Sequence, residues 1–521
     1  MFLNGLWIAF TITAFAVTTH ALKPALFLTP FIKQNKTEEA RLSSRVDPEN
    51  FLNVTSYSGF LTVDETHNSN LFFWYFPASN KKGSNTEWII WLQGGPGATS
   101  LVGLFSEMGP FEYIDDQLKL RETSWCKDFS MVFIDNPVGT GFSFTDTPDG
   151  YSTNMDMYSE NLYRAVKQLV VVYPELGPSP LFVAGESYAG RYVPGLADKI
   201  LEGTKTSDNS INLKGIIMGN PVIDRQSVVD FTRVFYNWGL VDSQGALAAK
   251  SLQEQFNKAV QNEDSVAAFE LRDRVLDKLQ EIAFKGETYN LLKEHAIAHV
   301  KDFIPYITQE SIRDKIHAGD KKFNFHNYDV QKYLKTDFLA SVSPKIEKLL
   351  EHCRVLIYCG QLDLTTPCVL SAEARRGRWR WSRRGDFLAA PRTPWWLNET
   401  VAGYVKSGGG FTEVQVNGAG HLVPMDKPVQ AKSLVTDFIH NRNLTMPPTY
   451  KINYEDIPNY EEYTDLSHYE NSEFKYGLIA SVIVNVLLVI GAAAGLVMFI
   501  RWKRQNEFFY SPLNEGILTM T

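Results

Sequence analysis

The stretch "LFVAGESYAGRYVPG", Leu181 to Gly195, runs from apolar residues straight into a glycine, then sets a serine between a glutamate and a tyrosine. Leu181–Ala184 suits a buried strand, and the small residues after Tyr188 open a helix-like run. A strand that breaks at Gly185 and resumes as a helix must turn sharply. Such a turn, with small neighbours, lifts the Ser187 hydroxyl clear of the backbone, as a nucleophile requires. The second glycine usual in this kind of turn is Ala189 here, with Gly190 next. The stretch thus raises two questions: whether Ser187 is a nucleophile, and why Glu186 stands beside it.

Similar apolar runs recur: Trp88–Leu92, Met131–Ile134, Gly215–Met218, Val355–Tyr358 and Phe411–Val416. Continuous apolar strands separated by helix-like stretches predict a parallel sheet covered on both faces. Chemistry in such sheets gathers beyond the carboxyl ends of the strands. The segments there are "QGGPGA", "DNPVGTGFS", "GESYAG", "GNPVID", "CGQLD" and "NGAGH". Asp363 follows one strand and His421 the last, giving the chain order Ser, Asp, His of the α/β-hydrolase fold. An imidazole takes the serine proton, and a carboxylate fixes its tautomer and stabilises the imidazolium. "WLQGGPGATS" adds a glycine turn from which the Gly95 N–H, with that of Tyr188, is the natural pair for a developing oxyanion. The fold expected is an α/β-hydrolase with a mostly parallel central sheet. Residues 224–339, with charges and helical spacing, form a helical cap insertion.

"WLQGGPGATSLVGLFSEMGPF", "VFIDNPVGTGFSF", "FVAGESYAGRYVP", "GNPVID" with "YNWGLVD", "YCGQLD" and "NGAGHLVPMDKPVQA" together resemble the serine carboxypeptidases, nearest the vitellogenic-like branch. The resemblance runs from about Pro30 to Asn443. It implies that Ser187, Asp363 and His421 form the triad and that Gly95 and Tyr188 donate to the oxyanion. It also implies a role for Glu186: with Gln93, Gly94 and Glu107, it holds the substrate's C-terminal carboxylate. Two carboxyls brought together do not both ionise cheaply, so at acid pH one keeps a proton and donates it. The expectation is an exopeptidase acting on peptides or proteins with a free C-terminus, favoured by acid pH, without metal or cofactor. Two departures stand out. Gln93 replaces the usual asparagine, moving the amide one methylene further, and Ala98 replaces a cysteine of many relatives. An acyltransferase with the same triad, and a catalytically silent binding or protective protein, remain as alternatives.

The rest of the chain bears on location. The 521 residues carry a formal charge of −8, which gives no electrostatic footprint for nucleic acid. The apolar start, with small residues at Thr19 and Ala21, predicts a signal peptide over residues 1–21. Asn35, Asn53, Asn398 and Asn443 head glycosylation sequons. After the catalytic domain, residues 22–443, comes an acidic tyrosine-rich stalk, 444–476. "GLIASVIVNVLLVIGAAAGLVMFI", Gly477 to Ile500, has no charge and reads as one transmembrane helix, with "RWKR" marking the cytoplasmic side. The tail, 501–521, contains "YSPL"; Tyr510 and Leu513 give it the form of a tyrosine-based sorting signal for coat adaptors. These features predict a single-pass protein of the secretory and endolysosomal system, in the Golgi, an endosome, a lysosome or the cell surface. Oligomeric state is not legible. Of the four cysteines, one or two disulfides are expected, with no pairing deducible. "ARRGRWRWSRRG", Ala374 to Gly385, reads as a solvated excursion with its tryptophans packed inward. A polyanion site and a processing site at Arg380 and Arg383 are the other readings.

Overall fold

The computed structural model describes residues 22–80, 85–205, 211–223, 230–367, 372, 375–444 and 495–502. The chain divides into two units, Met1–Ile452 and Asn453–Thr521. Among its described residues the first contains thirteen strands: β1 (Arg45–Val46), β2 (Ser56–Asp64), β3 (Ser69–Phe76), β4 (Trp88–Leu92), β5 (Phe111–Ile114), β6 (Gln117–Leu120), β7 (Ser130–Ile134), β8 (Leu181–Glu186), β9 (Leu213–Gly219), β10 (Arg354–Gly360), β11 (Thr393–Leu397), β12 (Thr400–Gly408) and β13 (Phe411–Val416). Eleven form one sheet in the order β1-β2-β3-β7-β4-β8-β9-β10-β13-β12-β11, and β5 and β6 make a separate hairpin. The middle run, β7-β4-β8-β9-β10-β13, pairs in parallel throughout. These are the six apolar runs of the sequence. Both flanks are antiparallel, so the parallel part is the centre of a mixed sheet. At one edge, β11 contains Pro394 and a bulge between Trp395 and Trp396.

Strand periodicity divides the core in two. Trp88, Ile90 and Leu92 of β4 enter one cluster with Leu181 and Val183 of β8. Ile89 and Trp91 enter the other with Phe182 and Ala184. The first face is covered by α1 (Met155–Val172), capped by the Asn154 side chain, and α2 (Ala189–Lys205). The second face is covered in part by α6 (Pro428–Ile439), through Leu434, Val435 and Phe438. The cap between β9 and β10 opens with the helices α3 (Phe231–Asn237), α4 (Ser243–Gln261) and α5 (Ser265–Ala283). Asp242 and Asp264 cap α4 and α5 by accepting from Gly245 N and Ala267 N. Beyond α5 the insertion becomes largely irregular chain with short helices, among them Tyr328–Leu334.

The arginine- and tryptophan-rich excursion is folded into the body. Trp379 and Trp381 are buried against Phe411. Arg375 and Arg376 share the carboxylate of Glu413 on β13. Arg380 and Arg383 remain exposed. Cys359 is disulfide-bonded, and Cys126 and Cys353 are free thiols. Asn35, Asn53, Asn398 and Asn443 all lie exposed in turns or loops.

The predicted signal peptide, the stalk beyond Leu444, Tyr510 and Leu513 lie outside the described residues. Of the predicted span 477–500, only 495–500 are described, as part of an exposed helix over 495–502. Among the described residues no helix is long and apolar enough to cross a membrane.

Candidate active site

Ser187 sits between β8 and α2 with φ +61°, a left-handed conformation that side chains other than glycine rarely adopt. Its N–H donates to Gly219 O at the end of β9 (2.9 Å), and its carbonyl accepts from Gly190 N and Val222 N. These bonds hold the strained turn from outside. The local sequence follows from crowding. A Cβ on Gly185 would fall 2.4 Å from Leu92 O. The second glycine requirement is met at Gly190, where a Cβ would lie 2.6 Å from Pro221 Cβ, so Ala189 is tolerated.

Asp363 and His421 follow β10 and β13 and are joined, His421 Nδ1 donating to Asp363 Oδ2 at 2.8 Å. Both are buried. Asp363 also accepts from Asn220 Nδ2 (2.6 Å), Thr366 Oγ1 (2.8 Å), Thr365 N (2.7 Å) and Thr366 N (3.1 Å). Burial pushes its carboxyl up, but the His421 charge and these bonds outweigh burial and hold it below the usual carboxylate range. A carboxylate so held stays ionised, orients the ring and leaves Nε2 for a proton. Among the described residues, His421 Nδ1 pairs with Asp363 and Thr366, and the ring does not pair with the Ser187 hydroxyl. Catalytic hydrogen bonds of this kind are commonly long in unliganded enzymes. Tyr289, from the cap, packs edge-on against the ring (4.9 Å), and its carbonyl accepts from the His421 backbone N–H (2.7 Å).

The glycine turn after β4 abuts the elbow. A Cβ on Gly94 would lie 2.6 Å from Tyr188 N and 2.7 Å from both Glu186 O and Ser187 Cβ. Gly95, the next residue, is exposed and at φ +109°. Neither Gly95 N–H nor Tyr188 N–H donates to another group among the described residues. Gly94→Ala is therefore expected to displace the turn from the serine. Steady-state assay should show a fall in kcat of about a hundredfold or more, since shifts near 1 Å cost that much.

Glu186 and Glu107 meet behind the turn. Glu107 ends a π-helical turn, Gly103–Glu107, and both side chains are buried. Gln93 bridges them, its Nε2 donating to Glu186 Oε1 (2.6 Å) and Glu107 Oε1 (3.2 Å), while its Oε1 accepts from Trp91 Nε1 (2.9 Å). Both amide hydrogens are thus directed at the glutamates, and the extra methylene of glutamine serves to span them. The second oxygens of both glutamates are buried, and a proton on either carboxyl lets the two hydrogen-bond each other. Burial pushes Glu107 up to about 7. Burial also raises Glu186 well above its ordinary value, and the neighbouring Glu107 charge raises it further. The site therefore holds a carboxyl pair that keeps a proton where ordinary carboxylates have lost it.

Asn220, Thr366, Tyr289 and Asp135 are the residues that sequence reasoning missed. Asp135 ties the glycine loop to β7 by accepting from Thr99 Oγ1 (2.6 Å) and Ser100 N (2.9 Å). The positions of Asn220 and Asp135, each directly after a strand in "GNPVID" and "DNPVGTGFS", were the available signal.

A serine on a strained strand-to-helix turn, an Asp–His pair after later strands and two free amides beside the serine define a serine hydrolase of the α/β-hydrolase fold. The serine carboxypeptidase family matches residues 47–441, and the chain belongs to it. Its enzyme class is that of a serine-type carboxypeptidase, a hydrolase. It is 38% identical to the venom serine carboxypeptidase of Apis mellifera, over 80% of this chain and 91% of the bee protein. It is also 38% identical to the vitellogenic carboxypeptidase of Aedes aegypti, over 80% and 90%. The probable serine carboxypeptidase CPVL of Homo sapiens is 35% identical over 80% and 90%. Kex1(delta)p, a prohormone-processing carboxypeptidase from Saccharomyces cerevisiae, shares the fold with a TM-score of 0.66 and 21% identity, covering 78% of this chain and 98% of the yeast one.

Proposed function

We propose that the chain releases C-terminal amino acids from peptides through an acyl-enzyme formed on Ser187, and that it works best at acid pH. The observation that carries the second half of the reading is the buried Gln93–Glu107–Glu186 cluster one residue from the serine. In this reading His421 takes the Ser187 proton as Oγ attacks the last peptide carbonyl. The Gly95 and Tyr188 amides receive the oxyanion, and His421 returns the proton to the leaving amine. Water then enters, and His421 works a second time as base. The substrate's terminal carboxylate is received by the Gly94 N–H and by the protonated carboxyl of the glutamate pair; an ionised pair repels it.

The membrane anchor at 477–500, the lumenal orientation and the secretory or endolysosomal location belong to this proposal. They rest on the uncharged run and on the exposure of the four sequon asparagines. Retention in the pellet after alkaline carbonate extraction supports the anchor, and full release overturns it. The activity is tested by incubating the full chain with N-blocked dipeptides at pH 5 and pH 7. Free amino acid appears at both, faster at pH 5. No release at either pH removes the peptidase reading, and transfer of the blocked acyl group to an added alcohol in place of water points to acyl transfer.

A further inference from the structure

We propose that the return segment of the cap, residues 324–340, holds both halves of the oxyanion hole in register, and that His326 is the positioning residue for the Gly95 half. This rests on the assignment of Gly95 and Tyr188 as oxyanion donors. Those amides belong to two separate loops, one of them the glycine-rich turn Gly94–Gly97. Glycine there gains freedom that has to be removed for the donors to be preorganised. Within the turn only Ala98 N to Gly94 O (3.1 Å) closes the chain on itself.

Asp135 holds the following residues Thr99 and Ser100, and the cap segment braces the turn itself. His326 Nε2 lies 3.0 Å from Pro96 O, the carbonyl directly after Gly95. A carbonyl only accepts, so this ring nitrogen carries the hydrogen. Asn327 N donates to Gly97 O (2.9 Å), Thr99 N donates to Phe325 O (3.1 Å), and Ala98 bridges to His326. The approach is close enough that a Cβ on Gly97 would meet Asn327 O at 2.6 Å. Further bonds fix the segment to the loop after β7: Asn327 Nδ2 to Gly139 O (2.7 Å), and reciprocal amide bonds between Asn324 and Gly141.

The same segment then reaches the elbow. The Asp337 carboxylate accepts from Tyr158 OH (3.2 Å), Tyr188 OH (3.4 Å) and Met155 N (3.2 Å). The carbonyls of Asp337, Phe338 and Ala340 accept from Arg191, whose guanidinium lies 5.5 Å over the Tyr188 ring. One short piece of chain therefore touches the residue after Gly95 at one end and the side chain of Tyr188 at the other. The two donors are set relative to each other through the cap as well as through the sheet.

The test compares the full chain with its His326→Ala and His326→Gln variants. His326→Ala is expected to lower kcat/KM on an N-blocked dipeptide roughly tenfold, a fraction of what losing an oxyanion donor costs. Affinity for a peptide aldehyde, which forms a tetrahedral adduct, should fall by a similar factor. Inhibition by the N-blocked amino acid product, which has no tetrahedral centre, should stay within about twofold, because it does not use the oxyanion geometry. Glutamine, whose side-chain amide donates as the ring does, should recover most of the loss. Amide hydrogen exchange over residues 94–99 should quicken in His326→Ala and return in His326→Gln. A kcat/KM within twofold of the parent, or product and aldehyde affinities falling together, overturns the proposal. A parent chain inactive toward both dipeptide and aldehyde removes the peptidase reading instead. Exchange over 94–99 then decides the brace: quickened exchange supports it, and unchanged exchange overturns it.

Discussion

Ser187→Ala is expected to reduce kcat on N-blocked dipeptides by about a million-fold, the scale seen when the nucleophile of a Ser–His–Asp unit is removed. The loss is that large because the remaining groups act only through the serine. Asp363 and His421 are bonded to each other and to Asn220 and Thr366, independently of Ser187, so they stay in place with nothing to activate. The variant should fold normally. Alanine at φ +61° meets the same backbone strain as serine, and the bonds that hold the turn all use main-chain atoms. A melting temperature equal to the parent's, with release of amino acid at the uncatalysed rate plus a residue from binding, is the expected pair of results. A fall of less than tenfold removes Ser187 as nucleophile.

The second large effect concerns the carboxyl pair. Above about pH 7, where Glu107 loses its proton, the site gains a charge facing the substrate's own carboxylate. The parent's kcat/KM should then fall by about tenfold per pH unit, as for loss of one essential proton. Glu107→Gln and Glu186→Gln together keep the site neutral at every pH, so that alkaline fall should flatten. Stability provides an independent check. The folded-state value of Glu107 is raised above that of the unfolded chain. Its contribution is thus fully present below about 4.5 and lost as pH rises through about 7. That interval corresponds to about 3 kcal/mol at ~1.4 kcal/mol per pH unit. Glu107→Gln, which does not titrate, should gain about that much relative to the parent at pH 8 and nothing at pH 4. Denaturant melts at the two pH values measure it. An alkaline limb unchanged in the double variant sinks this account of the glutamates.

The six parallel strands were legible because burial on both faces makes them largely apolar runs, although Phe411–Val416 also buries Thr412, Glu413 and Gln415. Trp88–Leu92 and Phe411–Val416 are buried at every position. The antiparallel flanks were not. β2 alternates irregularly around Gly59, and β12, TVAGYVKSG, places Gly403, Lys406 and Ser407 within its length. Ser187, Asp363 and His421 were legible because each stands at a strand's carboxyl end, a place that topology makes special. Asn220 and Thr366 act on Asp363 across β9 and β10, and no spacing along the chain reveals a contact between strands paired by register. Gln93 was legible as an amide near the glutamates. That its length spans both of them is a property of three dimensions.

The cap was visible through the period of α4 and α5. Its irregular return, which carries Tyr289 and His326, has no period to see.

The edges of the sheet have a consequence for how this chain behaves at high local concentration. Eleven strands in one sheet leave two open ladders, each a template for another chain. At one end β1 is only Arg45–Val46, too short to seed a partner strand. At the other, Pro394 removes a donor from β11, and the bulge at Trp395 and Trp396 twists the rest of the row away. Among the described residues, neither edge of this sheet therefore offers a second copy a long straight row of free amides and carbonyls to extend.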